Sequence, residues 1–306
     1  MLVYLAPLLA VVIFVVAVVA RLVRIMSLPI HLRWELYPVA HEKNSAYGGS
    51  FLEHLDWWKQ PREKSHLGEL KVMVPEILLL KGVREHSRSL WARTFPFHLG
   101  LYFSAALIAL LLLGGVVQAA GGTVAATAGF FGAALHWVTV ACAYAGTGLC
   151  LVGALALLGR RLGDPVLRGY SARADLWNLV AFAATAALAL VAFVVVDRDL
   201  ALLRGFTQSL VTFKLAGEVP PLLGVAIVAA SAMVAYVPTT HMAHFFTKWF
   251  MYHDVRWNDE ANLVGSKLEK KIQAQLAYKV DWAAPHIQGG GTKTWVDVAT
   301  EEVGKK

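Results

Sequence analysis

Three histidines carry the chemistry that this sequence supports best. His98 follows Arg93 by five residues in "ARTFPFHLGLYF" and opens an uncharged run. In a helix its ring stands about 7 to 8 Å beyond that charged edge. His241 and His244 close "YVPTTHMAHFFTKWF", seven and four residues ahead of Lys248, which puts them about 10 and 6 Å from a similar edge. Spaced i to i+3 on one helix, these two can share a face. Imidazoles from oppositely directed helices at one depth form the ligand pair of a b-type haem, because neutral imidazole nitrogen ligates haem iron well. A ring in hydrocarbon needs a partner in any case. Hydrogen bonds to backbone carbonyls or lipid headgroups are the bland alternative, and a metal or transport site is a third.

The elements that must position these rings are membrane spans. Of 306 residues 57% are hydrophobic and 16% charged, with a mean hydropathy of +0.54, outside the range of soluble domains. Leu2 to Ala20 is an uncharged run with Arg21 and Arg24 after it, the reverse of a cleaved signal peptide. No Asp, Glu, Lys or Arg occurs from Thr94 to Gly159, so this stretch predicts two spans joined through the Gly-rich "QAAGGTVAATAGFFG". Leu176 to Val196 and Pro221 to Thr247 supply the fourth and fifth spans. "AYAGTG" on the third offers the small residues beside which a flat macrocycle could lie.

The basic residues of segments 21–93 and 160–173 belong on the cytoplasmic side by the positive-inside rule. The sequence therefore predicts an all-α membrane protein: a five-transmembrane-helix bundle, N-terminus out and C-terminus in. Residues 1–253 form the transmembrane domain, including a cytoplasmic loop at 27–93, and 254–306 form a cytoplasmic C-terminal tail. In the loop, "SFLEHLDWWKQP" and "VMVPEILLLKGV" read as interfacial or partner-binding helices, or as helices packed on the protein's own surface. The tail shows no core of its own. The net charge of +7 over the whole chain is explained by orientation in the membrane, which excludes nucleic acid as the partner. Cys142 and Cys150, eight positions apart, fit no zinc or iron–sulfur spacing.

The chain resembles the cytochrome b (gamma) subunits of respiratory nitrate reductases. It is more closely similar to the subunits that accompany heterodisulfide-reductase-like iron–sulfur proteins in sulfate-reducing and other anaerobic bacteria. The resemblance is carried by "FHLG" at 97–100, "LCLVGALALLGRRLGDPVLRGYSARADL" at 149–176 and "PTTHMAH" at 238–244, with "RWELYPVAHE" at 33–42 and "WAAPHIQGGGTKTW" at 282–295 matching the second group. It implies an inner haem b on His98 and His244, with His241 as the reserve ligand. The places of a second, outer pair of ligands hold Ile108 and Ala226, and no histidine lies between Trp137 and Thr240, so one haem is expected. His136, beside the position of a basic residue near the family's quinol, is the candidate quinone partner, or else merely an interfacial cap. An outer haem on His136 and Met233 is a further option.

These readings converge on electron transfer between menaquinone or menaquinol and a cytoplasmic iron–sulfur subunit of the heterodisulfide-reductase type, in the cytoplasmic (inner) membrane. Further membrane or periplasmic cytochrome c subunits are possible companions. Arg93, Arg160 and Arg161 are candidates to pair with haem propionates, or serve only as positive-inside charges. The chain is then a subunit of a quinone-reactive oxidoreductase, not catalytic alone. The rivals are a haem-free membrane anchor and a small transporter. The transporter lacks the expected repeats, broken helices and mid-membrane charges, and a prenyltransferase would need clustered Asp on the inner loops.

Overall fold

The computed structural model describes residues 2–27, 39, 41–42, 54–60, 63–215, 217–256, 262–284 and 287–302. The protein is an all-α membrane protein. Helix α1 runs Leu2–Ser27, and two shorter helices, α2 His66–Leu78 and α3 Lys81–His86, precede α4 at Arg88–Ala119. Then come α5 Phe130–Gly163, α6 Pro165–Tyr170, α7 Arg173–Val195, α8 Ala201–Val211 and α9 Pro221–Tyr236. Helices α1, α4, α5, α7 and α9 with its extension to Thr239 are long and apolar enough to cross a membrane. "RWELYPVAHE" lies almost wholly outside the described residues, as does much of "SFLEHLDWWKQP".

The fifth span ends earlier than the hydropathy run. After Tyr236 the chain tightens into a 3-10 turn at Val237–Thr239, becomes extended at Thr240, makes a second 3-10 turn at His241–Ala243 and only then starts α10, His244–Phe250. Pro238 causes the break: it has no N–H to give and its ring crowds the preceding turn. This corrects the expectation that His241 and His244 sit i to i+3 on the last membrane helix. His241 belongs to the 3-10 turn and His244 opens a new helix.

The described residues form two compact units, Met1–Ala17 with Met73–Thr240, and Val18–Val72 with His241–Lys306. In the first, α4 and α5 are joined along a glycine seam. The Gly100 backbone lies against that of Cys150 and the Gly153 backbone against Phe97, so neither position has room for a Cβ, and Gly146 approaches Ser104 nearly as closely. Of the "AYAGTG" glycines, Gly146 serves helix contact, while Gly148 has nothing within 4 Å of where a Cβ would stand. Helix α7 packs on α5, α9 on α7, and α8 crosses α4 at Gly114 and Gly115. Four hydroxyls within the spans are satisfied inside their own helices: Ser104, Thr139, Thr147 and Ser231 donate to the carbonyls of Gly100, Leu135, Ala143 and Ile227, as a hydrocarbon surround favours.

The second unit gives the tail more order than its composition suggested. After α11, Lys267–Leu276, the chain makes a two-residue antiparallel ladder, Ala283–Ala284 with Ile287–Gln288, and ends in α12, Trp295–Thr300. Val280 donates to Lys293 at 2.8 Å and accepts from Gly291 at 2.7 Å, and its side chain is buried. Gly290 and Gly291 take positive φ, which only glycine adopts at no steric cost. "GGG" is thus a turn that folds Lys293 back on Val280. Thr294 and Asp297 form a reciprocal cap on α12, the local signature of a helix start.

The loop helices divide their faces. Trp91 donates its indole N–H to the Leu79 carbonyl at 2.8 Å, so the end of "VMVPEILLLKGV" packs on the protein's own α4. Leu67, Leu70, Val74 and Leu78 stay exposed along one face of α2.

Candidate functional site

His98 is held within α4. Its Nδ1 lies 2.8 Å from the carbonyl oxygen of Thr94, one turn back, and 3.3 Å from the Thr94 hydroxyl. Donation from Nδ1 to a carbonyl puts the proton there and the lone pair on Nε2, the arrangement by which metal-ligating histidines are oriented. The ring stands edge-on to Phe97 at 5.7 Å, and Phe97 stands edge-on to Phe182 of α7 at 5.3 Å. Aromatic contacts thus run from His98 across to a third helix.

His241 and His244 belong to the second unit. His244, an exposed residue, has Nδ1 3.3 Å from the His241 carbonyl three residues back, a longer contact than the one that holds His98. Burial of the ring lowers its pKa; the His241 carbonyl opposes this, while the charges of Lys248 and His241 add to it. The neutral, ligating form is favoured.

The three arginines differ. Arg93 donates to the carbonyl and hydroxyl oxygens of Ser89 at 2.7 and 2.6 Å. Arg161 donates to the Ser171 hydroxyl at 2.9 Å and lies 3.6 Å from Asp175, tying the end of α5 to the start of α7. The Arg160 carbonyl accepts from the Asp164 N–H, but its guanidinium makes no hydrogen bond or ion pair among the described residues. It is the one whose guanidinium is uncommitted.

His136 is far from His98. Gly153 meets Phe97 in the α4–α5 seam, and His136 lies seventeen residues earlier on α5, about 26 Å away along the helix. It is only 2% exposed and its Nδ1 has no partner. Close by is Arg204 of α8, which no feature of the sequence singled out, also 2% exposed, with Nε and Nη1 unpartnered. Its stem lies where a side chain at Gly114 would project. Burial lowers its pKa, while Asp199 and Asp197 pull it back. Both Asp197 oxygens are spent on capping α8, accepting from the Leu202 and Leu203 N–H at 3.0 and 2.8 Å. Gln118 adds a buried, unpartnered Oε1 on α4. On another face of α8 a cavity of about 200 Å³ is lined by Tyr4, Phe206, Ser209, Glu218 and Leu223.

The same end of the bundle holds the main hydrophobic core, in which Leu107, Leu111, Cys142, Phe193, Phe206, Leu223 and Ala226 pack together. Of the two positions where the resemblance would put second-haem ligands, Ala226 is inside this core and Ile108 is 50% exposed on the outer surface of the bundle.

At the opposite end, where the basic loops attach, another unforeseen residue emerges. Asn178 of α7 is 1% exposed; its Oδ1 accepts from the Tyr236 hydroxyl of α9 at 2.8 Å, and its Nδ2 has no partner. The signal was present in the sequence, since Asn178 is the only amide in "LWNLVAFAATAALALVAFVVV" and a polar residue inside a span is a functional candidate by default.

No family profile matches the chain, and no curated protein is significantly similar to it. Among the described residues no three His, Cys, Asp or Glu side chains cluster as a metal site. A bis-histidine iron site requires only two ligands, fewer than such a cluster.

Proposed function

We propose that this chain is the haem-b membrane subunit of an anaerobic respiratory complex, exchanging electrons between menaquinone or menaquinol and a cytoplasmic iron–sulfur subunit of the heterodisulfide-reductase type. The observation that carries the reading is the His98 ring, tethered through Nδ1 to Thr94 in a membrane span and set in aromatic contacts. His244 has a longer contact to the His241 carbonyl and a favoured neutral form. His98 and His244 would hold the iron, with His241 in reserve, and Arg160 is the arginine free to meet a propionate. A haem bound there supplies one-electron exchange, with its potential set by ligands, burial and nearby charge.

The protein's own part is to orient the rings and exclude water. Polar groups at the α8 end lie about 26 Å along α5 from the level of His98, so the quinone that exchanges electrons is proposed to bind at the basic end instead. The cytoplasmic membrane is the proposed location, with the basic loops on the inner face.

The purified chain should yield about one haem per polypeptide in a pyridine haemochrome assay, and a reduced-minus-oxidised spectrum with a b-type α band. Two haems would overturn the single-site reading. No α band would leave a haem-free anchor.

A further inference from the structure

We propose that Asn178, steered by Tyr236, is the hydrogen-bond donor for the carbonyl oxygen of a quinone bound at the basic end of the bundle. The proposal rests on the quinone-reactive reading above and names the substrate site within it.

A buried amide N–H without an acceptor costs about 1 to 3 kcal/mol. Such groups are rarely left orphaned in native proteins. The Tyr236 hydroxyl occupies Oδ1 at 2.8 Å and fixes the plane of the amide, so Nδ2 is aimed in one direction and cannot rotate to find a partner without giving up that bond. No acceptor for it lies among the described residues.

Three kinds of acceptor can be weighed. A buried water normally makes two to four hydrogen bonds, yet Asn178 offers the only buried, unpartnered side-chain atom described at this end of the first unit. A carboxylate, such as a haem propionate, would bring a charge into an apolar surround, and that requires a cation. Arg93 and Arg161 are committed to Ser89 and to Ser171 and Asp175, so that cation would have to be Arg160, and the haem-potential readout below tests this alternative. A neutral carbonyl on an apolar ring has one strong acceptor and otherwise wants hydrophobic contact. That combination suits a lone donor next to Leu179 and Phe182.

Position favours the same ligand. Phe182 follows Asn178 by one helical turn, about 6 Å, and the Phe182, Phe97 and His98 rings form a chain of contacts at 5.3 and 5.7 Å between centroids. A quinone carbonyl on Asn178 would therefore lie near the ring proposed to ligate iron, whereas one at His136 would lie at the other end of the membrane.

The test uses the full-length protein in lipid nanodiscs, with haem content measured first. Binding of 2-methyl-1,4-naphthoquinone is followed by calorimetry, which requires no haem. Asn178→Leu should weaken binding about tenfold and Tyr236→Phe, which keeps the amide but frees it, about threefold, with the haem spectrum and midpoint potential unchanged. Unaltered quinone binding in both variants would overturn the proposal. So would a shifted haem potential with quinone binding intact, which would assign the amide to a propionate, or a loss of tightly bound phospholipid alone, which would assign it to a lipid ester. If the wild type binds no haem but Asn178→Leu still weakens quinone binding, the haem reading fails and this site stands.

Discussion

The two ends of the helical bundle solve the problem of a membrane interior in opposite ways. At the α8 end, side chains from α1, α4, α5, α7, α8 and α9 interlock in one hydrophobic core that includes Tyr4, Phe193 and Leu223. Its polar groups are sealed in, as the 2% exposure of both His136 and Arg204 indicates. At the basic end, α4 and α5 meet backbone to backbone at Gly100 and Gly153, and the side chains beside that seam include the rings of Phe97, His98 and Phe182 and the buried amide of Asn178. Close packing leaves no space that a flat cofactor could take without displacing atoms. The difference is one of packing: the α8 end is held by interlocked apolar side chains, whereas the basic end carries oriented rings and a buried amide with an unmet N–H.

The largest effect that could break this contrast is on pigment. His98→Ala should abolish the haem absorbance of the purified protein, and His136→Ala should retain all of it. Equal retention in both, measured as haem per polypeptide, would remove the distinction between the ends. The seam itself gives the next test. Gly100→Val drives a branched side chain into the Cys150 backbone and should exceed the usual 1 to 3 kcal/mol cost of overpacking, seen as a large fall in thermal midpoint or loss of folded protein. Gly148→Ala, with nothing within 4 Å of the added carbon, should be neutral or slightly stabilising in the same assay. A smaller effect probes the α8 end: Asp197→Ala strips the cap from α8 and should cost about 1 kcal/mol. It should lower the thermal midpoint without moving the haem spectrum.

Much of the scaffold was legible because its causes are local. A run of apolar residues must form a helix in lipid whatever its neighbours are, since only a helix satisfies its own backbone. The five spans followed from run lengths and charges. The tether of His98 to Thr94 is also local, a bond to the preceding turn of the same helix. Pro238, visible in the sequence, ended the last span sooner than hydropathy indicated, because hydropathy weighs side chains and ignores a missing N–H. The tail misled for a related reason: "GGG" with a Thr-x-x-Asp cap can be a linker or a turn, and the Val280 to Lys293 bond across it decides which.

What the sequence determined by itself was the number of membrane helices, the segregation of basic residues to particular loops, and the set of imidazoles from which any iron ligand must be drawn. Each depends on residues within a turn or two of one another, or on composition. Only the tertiary structure decided that the small residues of the third span close a helix seam, that Arg204 and His136 are buried together, and that Asn178 is clasped by Tyr236 with one N–H unspent. Those outcomes depend on which side chains other helices bring opposite, and a hydrogen-bond partner 58 residues away leaves no periodic trace in the chain that carries it.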